Sequence, residues 1–167
     1  HMRAGAQECL AGYYAHCSVL DDCFGRLIGA LEQHQLAHNT LVLFASDHGD
    51  MIGSHYLYDK QCPWDESIRV PFLLRYPGRL APGVSDVLID SPDILPTLCG
   101  LPGGAANAPM QGRNLAAHLL AGTVPPDDCA LLAYYANFGN WPLIARRAGT
   151  PPIYGAREYR GVRTPRY

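Results

Sequence analysis

Thr40-Leu41-Val42-Leu43-Phe44-Ala45-Ser46 runs directly into Asp47-His48-Gly49-Asp50, and the reading of this stretch decides the fold class of the 167-residue chain. A short, nearly continuous apolar run bounded by polar residues has the signature of a strand buried on both faces, as in a parallel sheet. Ahead of it, Leu10, Tyr13, Tyr14, Cys17, Leu20, Phe24, Leu27, Ile28 and Leu31 recur at spacings of three and four. That period paints one stripe on an amphipathic helix between Leu10 and Leu36, ended by the polar stretch Gln33 to Asn39. Helix, short turn and buried strand make an α/β unit.

Downstream, Asp47 to Asp50 interrupts the apolar run, and no regular period returns before Val70-Pro71-Phe72-Leu73-Leu74-Arg75-Tyr76. The residues between form a long loop leaving a strand end. A second strand is expected at about residues 72–76, stopped by Pro77-Gly78, and a third short one at Val84 to Ile89. Ser91 as N-cap and Pro92 in the first turn predict a helix through Leu98, closed by Gly100. Beyond a Gly/Ala/Pro linker from Leu101 to Pro109, the sequence predicts a short helix from Gly112 to Leu120 stopped at Gly122. A strand at Ala130 to Ala136 and an extended segment from Arg157 to Tyr167 follow. No internal repeat or low-complexity tract is present.

A net charge of −2 leaves no basic excess with which to neutralise phosphates, so no nucleic-acid partner is expected. No apolar run approaches the roughly 20 residues that cross a bilayer, so no membrane partner is expected either. The opening His1-Met2 reads as a cloning residue. Six cysteines, at 9, 17, 23, 62, 99 and 129, contain no C-x-x-C pair. Their scatter argues against a zinc knuckle or a dense disulfide framework and points to free thiols, which leans toward a cytoplasmic location.

In open α/β sheets ligands collect beyond the carboxyl ends of strands, which is where Asp47 and His48 stand. A carboxylate offers oxygen to a hard divalent ion, an imidazole adds a nitrogen, and Gly49 lets the backbone curl so that neighbouring side chains converge. Taken alone, an Asp-His-Gly tripeptide is more often a solvated turn. Lys60, in the same loop, could set a point charge against an anionic substrate oxygen, although a lone loop lysine is usually just solvated.

The wider stretch, Ser46-Asp47-His48-Gly49-Asp50-Met51-Ile52-Gly53-Ser54-His55 and then Lys60-Gln61-Cys62-Pro63-Trp64-Asp65-Glu66-Ser67-Ile68-Arg69-Val70-Pro71, strongly resembles the type I sulfatases of the alkaline-phosphatase-like superfamily. Arg75-Tyr76-Pro77-Gly78, Ser91-Pro92-Asp93-Ile94-Leu95-Pro96-Thr97-Leu98, Gln111-Gly112-Arg113-Asn114-Leu115 and the closing Arg160 to Tyr167 are also similar to that family. The resemblance implies an α/β fold, part of an alkaline-phosphatase-like sheet flanked by helices, with the N-terminal part missing. Residues 3–122 would be the later part of the catalytic domain and residues 123–167 a loop-rich, truncated extension of it.

By the same resemblance Asp47 and His48 match a later pair of metal ligands, with calcium as the implied ion and magnesium or manganese as alternatives. Lys60 matches a lysine that touches sulfate. His55 falls in the substrate-facing loop, though Ser54 and Tyr56 flank it where the family has Gly-Asp/Glu-His-Gly, leaving a site residue and a satisfied loop histidine as alternatives. Asp50 reads as a supporting or capping group, and Glu66 and Arg69 as structural bonds under the loop. Asp21-Asp22 reads as a solvated helix face.

Sulfatases of this type attack sulfur with a formylglycine made from Cys or Ser in a C/S-x-P-S/T-R motif, and the 167 residues contain no such motif. The implied function is therefore a fragment of a hydrolase of sulfate esters, small molecules or glycans, whose formylglycine nucleophile lies outside this chain. The alternatives are a stand-alone non-catalytic binding module and a fragment of a phosphate or phosphonate ester hydrolase. A central strand deprived of its neighbours also implies self-association.

Overall fold

A computed structural model of the chain describes residues 2–60, 62–104, 108–135 and 158–166. They fall into two compact units, His1–Gly78 and Arg79–Tyr167.

The first unit opens with α1 (Met2–Gln33), which starts ahead of the apolar stripe. Its aspartates at 21 and 22 are exposed, in keeping with a solvated helix face. The apolar run forms β1 (Val42–Ala45), and Phe24 of the helix meets Phe44 of the strand with ring centroids 4.9 Å apart. The expectation of a parallel strand buried on both faces is corrected here. β1 pairs antiparallel with β2 (Phe72–Arg75), in the register Val42 with Arg75 and Ala45 with Phe72. Val42 to Phe44 are half-buried and Ala45 is exposed, because the described residues supply a partner on one edge only. Arg75 ties the start of this ribbon down by donating to the Ala37 carbonyl at 2.9 Å.

Between the strands the long loop contains one turn of 3-10 helix (Ser54–Tyr56) and a four-residue helix α2 (Asp65–Ile68). Met51, 2% exposed, plugs it. The loop closes on itself through Met51 N–H to Asp59 O and Gly53 N–H to Leu57 O, both 2.7 Å.

The second unit is built around α3 (Ser91–Gly100). Its N-cap is Asp90 and not Ser91: the Asp90 carboxylate accepts from the Ser91 amide at 2.7 Å and forms a capping box with Asp93. The strand expected at Val84 to Ile89 is absent. Side chains have taken the backbone bonds a strand would need, since Leu88 N–H donates to Asp128 at 2.8 Å and Leu88 O accepts from Arg113 at 2.9 Å. The helix expected from Gly112 starts later, as α4 (Ala116–Ala121), and ends on Gly122 in the left-handed region as foreseen. Residues 112–115 are instead held against α3. Leu115 N–H donates to Thr97 Oγ1 at 3.0 Å, and a Cβ on Gly112 would fall 1.9 Å from the Pro92 carbonyl oxygen.

Strands β3 (Ala130–Tyr135) and β4 (Glu158–Arg163) pair antiparallel, Ala130 with Arg163, and Tyr134 stacks on Tyr159 with centroids 5.3 Å apart. The ends expected at Ala136, Arg157 and Tyr167 lie outside the described residues. All six cysteines are free thiols. No described helix is long and apolar enough to cross a membrane.

Candidate functional site

Asp47 and His48 leave β1 at its carboxyl end, and both are exposed. Asp47 Oδ1 accepts from the His48 amide at 3.0 Å and from Ser46 Oγ at 3.4 Å. A hydrogen bond from its own backbone, opposed by partial desolvation and aided by His48, holds the Asp47 carboxyl below the ordinary carboxylate range, so it is an anion at neutral pH. His48 Nδ1 lies 2.9 Å from the Gly49 carbonyl and donates to it when protonated there. That bond selects the tautomer whose Nε2 lone pair is open, the form in which imidazole ligates metals. His48 Nε2 also lies 3.5 Å from Asp47 Oδ2, so an anionic oxygen and an imidazole nitrogen converge on one point. This pair suits a divalent cation.

Gly49 is required for a reason different from backbone curl. Its N–H donates to Ser67 O at 2.8 Å, and a Cβ there would sit 1.9 Å from the Glu66 carbonyl oxygen. The segment just past Asp47 and His48 is thus seated directly on α2, which no side chain would permit. Asp50 caps the next turn, accepting from the Ile52 amide at 2.9 Å, in the supporting role foreseen for it.

Past Met51 the chain passes through left-handed backbone at Ile52 (φ 44°), Gly53 (φ 89°), His55 (φ 51°) and Asp59 (φ 64°). Such conformations cost of order 1 kcal/mol or more at a residue with a side chain and persist only where surrounding bonds hold them. Here the Met51–Asp59 and Gly53–Leu57 backbone bonds do so. They also return the chain to Lys60, half-buried, close to Met51.

His55 is held on two sides. Its ring stacks on Trp64 with centroids 4.3 Å apart and planes 14° apart, and its Nε2 lies 3.9 Å from Glu66 Oε1. Ser54 Oγ donates to that same oxygen. The Ser54 hydrogen bond keeps the Glu66 carboxyl below its usual range. Glu66 thus bonds within the loop, to Ser54, as the sequence indicated. Arg69 lies 3.9 Å from Asp65 one helical turn away, an exposed pair of little energetic weight. Trp64 carried no sequence assignment. An aromatic residue just before a four-residue helix gives no periodic signal that could have marked it.

The structure thus joins Asp47 with His48, and His55 with Trp64 and Glu66. Among the described residues no group of three or more His, Cys, Asp or Glu side chains is placed to hold a metal ion. Asp47 and His48 can supply part of a coordination shell.

The family model described as Sulfatase matches residues 3–104. The chain is 39% identical over 150 residues to an ulvan-active sulfatase of Formosa agariphila, covering 87% of this chain and 29% of that protein. A Bacteroides thetaiotaomicron structure from work on the metabolism of multiple glycosaminoglycans is 33% identical, with a TM-score of 0.74, covering 91% of this chain and 31% of that one. The phosphonate monoester hydrolase of Agrobacterium radiobacter is 26% identical, with a TM-score of 0.62 over 83% of this chain and 28% of that one. The chain spans under a third of the length of each of these proteins.

Proposed function

The chain belongs to the sulfatase family, and on that premise we propose that these residues form part of a metal-dependent sulfate ester hydrolase acting on a sulfated glycan. The observation that carries this reading is the convergence of Asp47 Oδ2 and His48 Nε2, with the second imidazole nitrogen tied back to the Gly49 carbonyl. The family works with a metal ion and a formylglycine. When bound, the ion polarises the ester and the formylglycine supplies a geminal-diol nucleophile. Within this chain, Asp47 and His48 would supply part of the ion's coordination shell; calcium is our choice on the family resemblance, with magnesium and manganese, which accept the imidazole nitrogen, as alternatives. Lys60 sets its ammonium against an anionic ester oxygen, and His55 faces the substrate. The likeness to the phosphonate monoester hydrolase supports a second reading, in which the same groups act on a phosphonate ester.

The test is to express the coding sequence together with whatever is encoded ahead of residue 3. The product is assayed for formylglycine by mass and for release of sulfate from sulfated monosaccharides and 4-nitrophenyl sulfate. Sulfate release abolished by Asp47→Ala and by Lys60→Ala supports the reading. Preferential cleavage of a phenyl phosphonate ester supports the second one, and no turnover of either overturns both.

Two further outcomes are expected of the 167-residue chain. Two protein ligands fall short of the six to eight oxygens that calcium takes or the octahedron that magnesium requires. Isothermal titration with calcium, magnesium and manganese should therefore show millimolar binding at best, and a micromolar site lost in Asp47→Ala would contradict this. The second outcome concerns β1, which pairs along one edge only among the described residues and lines an apolar groove together with the exposed Leu20 (59%) and Leu27 (64%) of α1. An unpaired apolar edge recruits another strand, here that of a second copy. Light scattering should show a mass that rises with concentration, and a concentration-independent monomer would refute it.

A further inference from the structure

His55 holds a left-handed backbone conformation, with φ 51° and ψ 24°, that its own side chain disfavours. Its ring meets two groups, Trp64 and Glu66, the second of them fixed in turn by Ser54. Trp64 lies flat against the ring and sets its plane. Glu66 Oε1 stands 3.9 Å from Nε2 and is the one acidic group within ion-pair distance of His55 among the described residues. Ser54 Oγ donates to that oxygen and so fixes where the carboxylate stands. Trp64 is the N-cap of α2 and Glu66 lies in its first turn. The carbonyl of Glu66 is the atom on which Gly49 rests. One short helix therefore supports both the backbone that follows the metal ligands and the ring of His55.

We propose that Glu66, fixed by Ser54, is a positioning residue for His55, with Trp64 holding the ring plane: together they keep the proton on Nε2 and leave Nδ1 as the nitrogen that accepts a hydrogen bond from a substrate hydroxyl. This rests on the reading of His55 as substrate-facing given above. The physical logic is that of any imidazole whose second nitrogen faces a carboxylate. The anion stabilises the proton on the near nitrogen, selects one tautomer and limits rotation of the ring. The pair is loose at 3.9 Å, as such contacts often are without substrate. The stacked Trp64 sets the plane of the ring, and the Ser54 bond sets the carboxylate that the ring faces.

The experiment uses the whole protein that carries these residues, with a sulfated monosaccharide as probe, and compares wild type with Glu66→Gln, Ser54→Ala, His55→Ala and the double variant Glu66→Gln/His55→Ala. Glu66→Gln should lower kcat about 10- to 100-fold while KM stays within about threefold, and Ser54→Ala should act in the same direction but less. The double variant should be no slower than His55→Ala alone, because Glu66 acts through the imidazole. Additive losses with a lowered Tm would make Glu66 a brace for α2 and overturn the proposal. An unchanged kcat in His55→Ala would overturn it too, while leaving sulfate ester hydrolysis standing. A readout independent of turnover is the nitrogen-15 spectrum of labelled histidine at a pH where the ring is neutral. Wild type should show His55 protonated on Nε2, and Glu66→Gln should shift it toward Nδ1. The same tautomer in both would overturn the proposal even in an active enzyme. Lack of any turnover by wild type would instead count against the sulfate ester reading, with the spectrum still deciding the pairing.

Discussion

Supplied alone with 4-nitrophenyl sulfate, the 167-residue chain should show no turnover above background. Its residues offer a carboxylate and an imidazole in Asp47 and His48 and a cation in Lys60, but no C/S-x-P-S/T-R motif from which a formylglycine could be made. Without the nucleophile the covalent route is lost, and what remains is electrostatic help of the kind that gives about 10³- to 10⁴-fold over water in other enzymes stripped of their nucleophile. Even that help needs an ion held firmly, and two ligands do not hold one. On a sulfate ester, which hydrolyses very slowly in water, such a residue of catalysis is invisible in an ordinary assay. Turnover that vanished in Lys60→Ala would show that the chain carries a nucleophile of its own.

Arg113→Ala should lower the stability of the second unit by about 3 kcal/mol, a fall in Tm of about 10–20 °C for a unit of this size. Arg113 bonds Asp93 through Nε at 3.1 Å and Nη2 at 2.6 Å, reaches Asp128 at 3.4 Å, and donates a further bond to Leu88 O. Asp93 and Asp128 are 3% and 6% exposed, so removing the guanidinium strands two carboxylates with little water. The Arg113 side chain is itself 35% exposed, which places the cost at the low end for a broken buried pair. Burial works against the charge on Asp93, but bonds from Arg113, the Asp90 backbone and the Arg113 charge outweigh it and hold the carboxyl below its ordinary range.

A depressed folded-state value means that the contribution is fully present above the unfolded value of about 3.9 and is lost as pH falls through the folded one. In Arg113→Ala only the backbone N–H groups of residue 113 and Asp90 still oppose burial, so acid unfolding should begin at a higher pH than in wild type. Arg113→Lys keeps the charge without the fork and should recover less than half of the loss. Thermal unfolding at several pH values checks all three statements, and a Tm equal to wild type in Arg113→Ala would show that the two aspartates find other partners.

The sequence by itself determined most of the elements and the place of Asp47 and His48 at the head of the loop. Three-and-four spacing in α1, the apolar run of β1, Pro92 at the start of α3 and Gly122 at the end of α4 are local signals, written in neighbouring residues and readable without the fold. Asp47 and His48 were legible for the same reason, being adjacent and at a strand end. Only the tertiary structure decided what each backbone group bonded to. Residues 84–89 have strand-like composition but no strand, because Asp128 and Arg113, distant in sequence, occupy the Leu88 backbone. Gly49 and Gly112 are glycines because carbonyls from other segments press on them, a constraint no local pattern carries. The grip of Trp64 and Glu66 on His55 belongs to the same class: it spans a loop whose backbone enters the left-handed region four times, and a chain that turns so often loses the periodicity from which sequence is read.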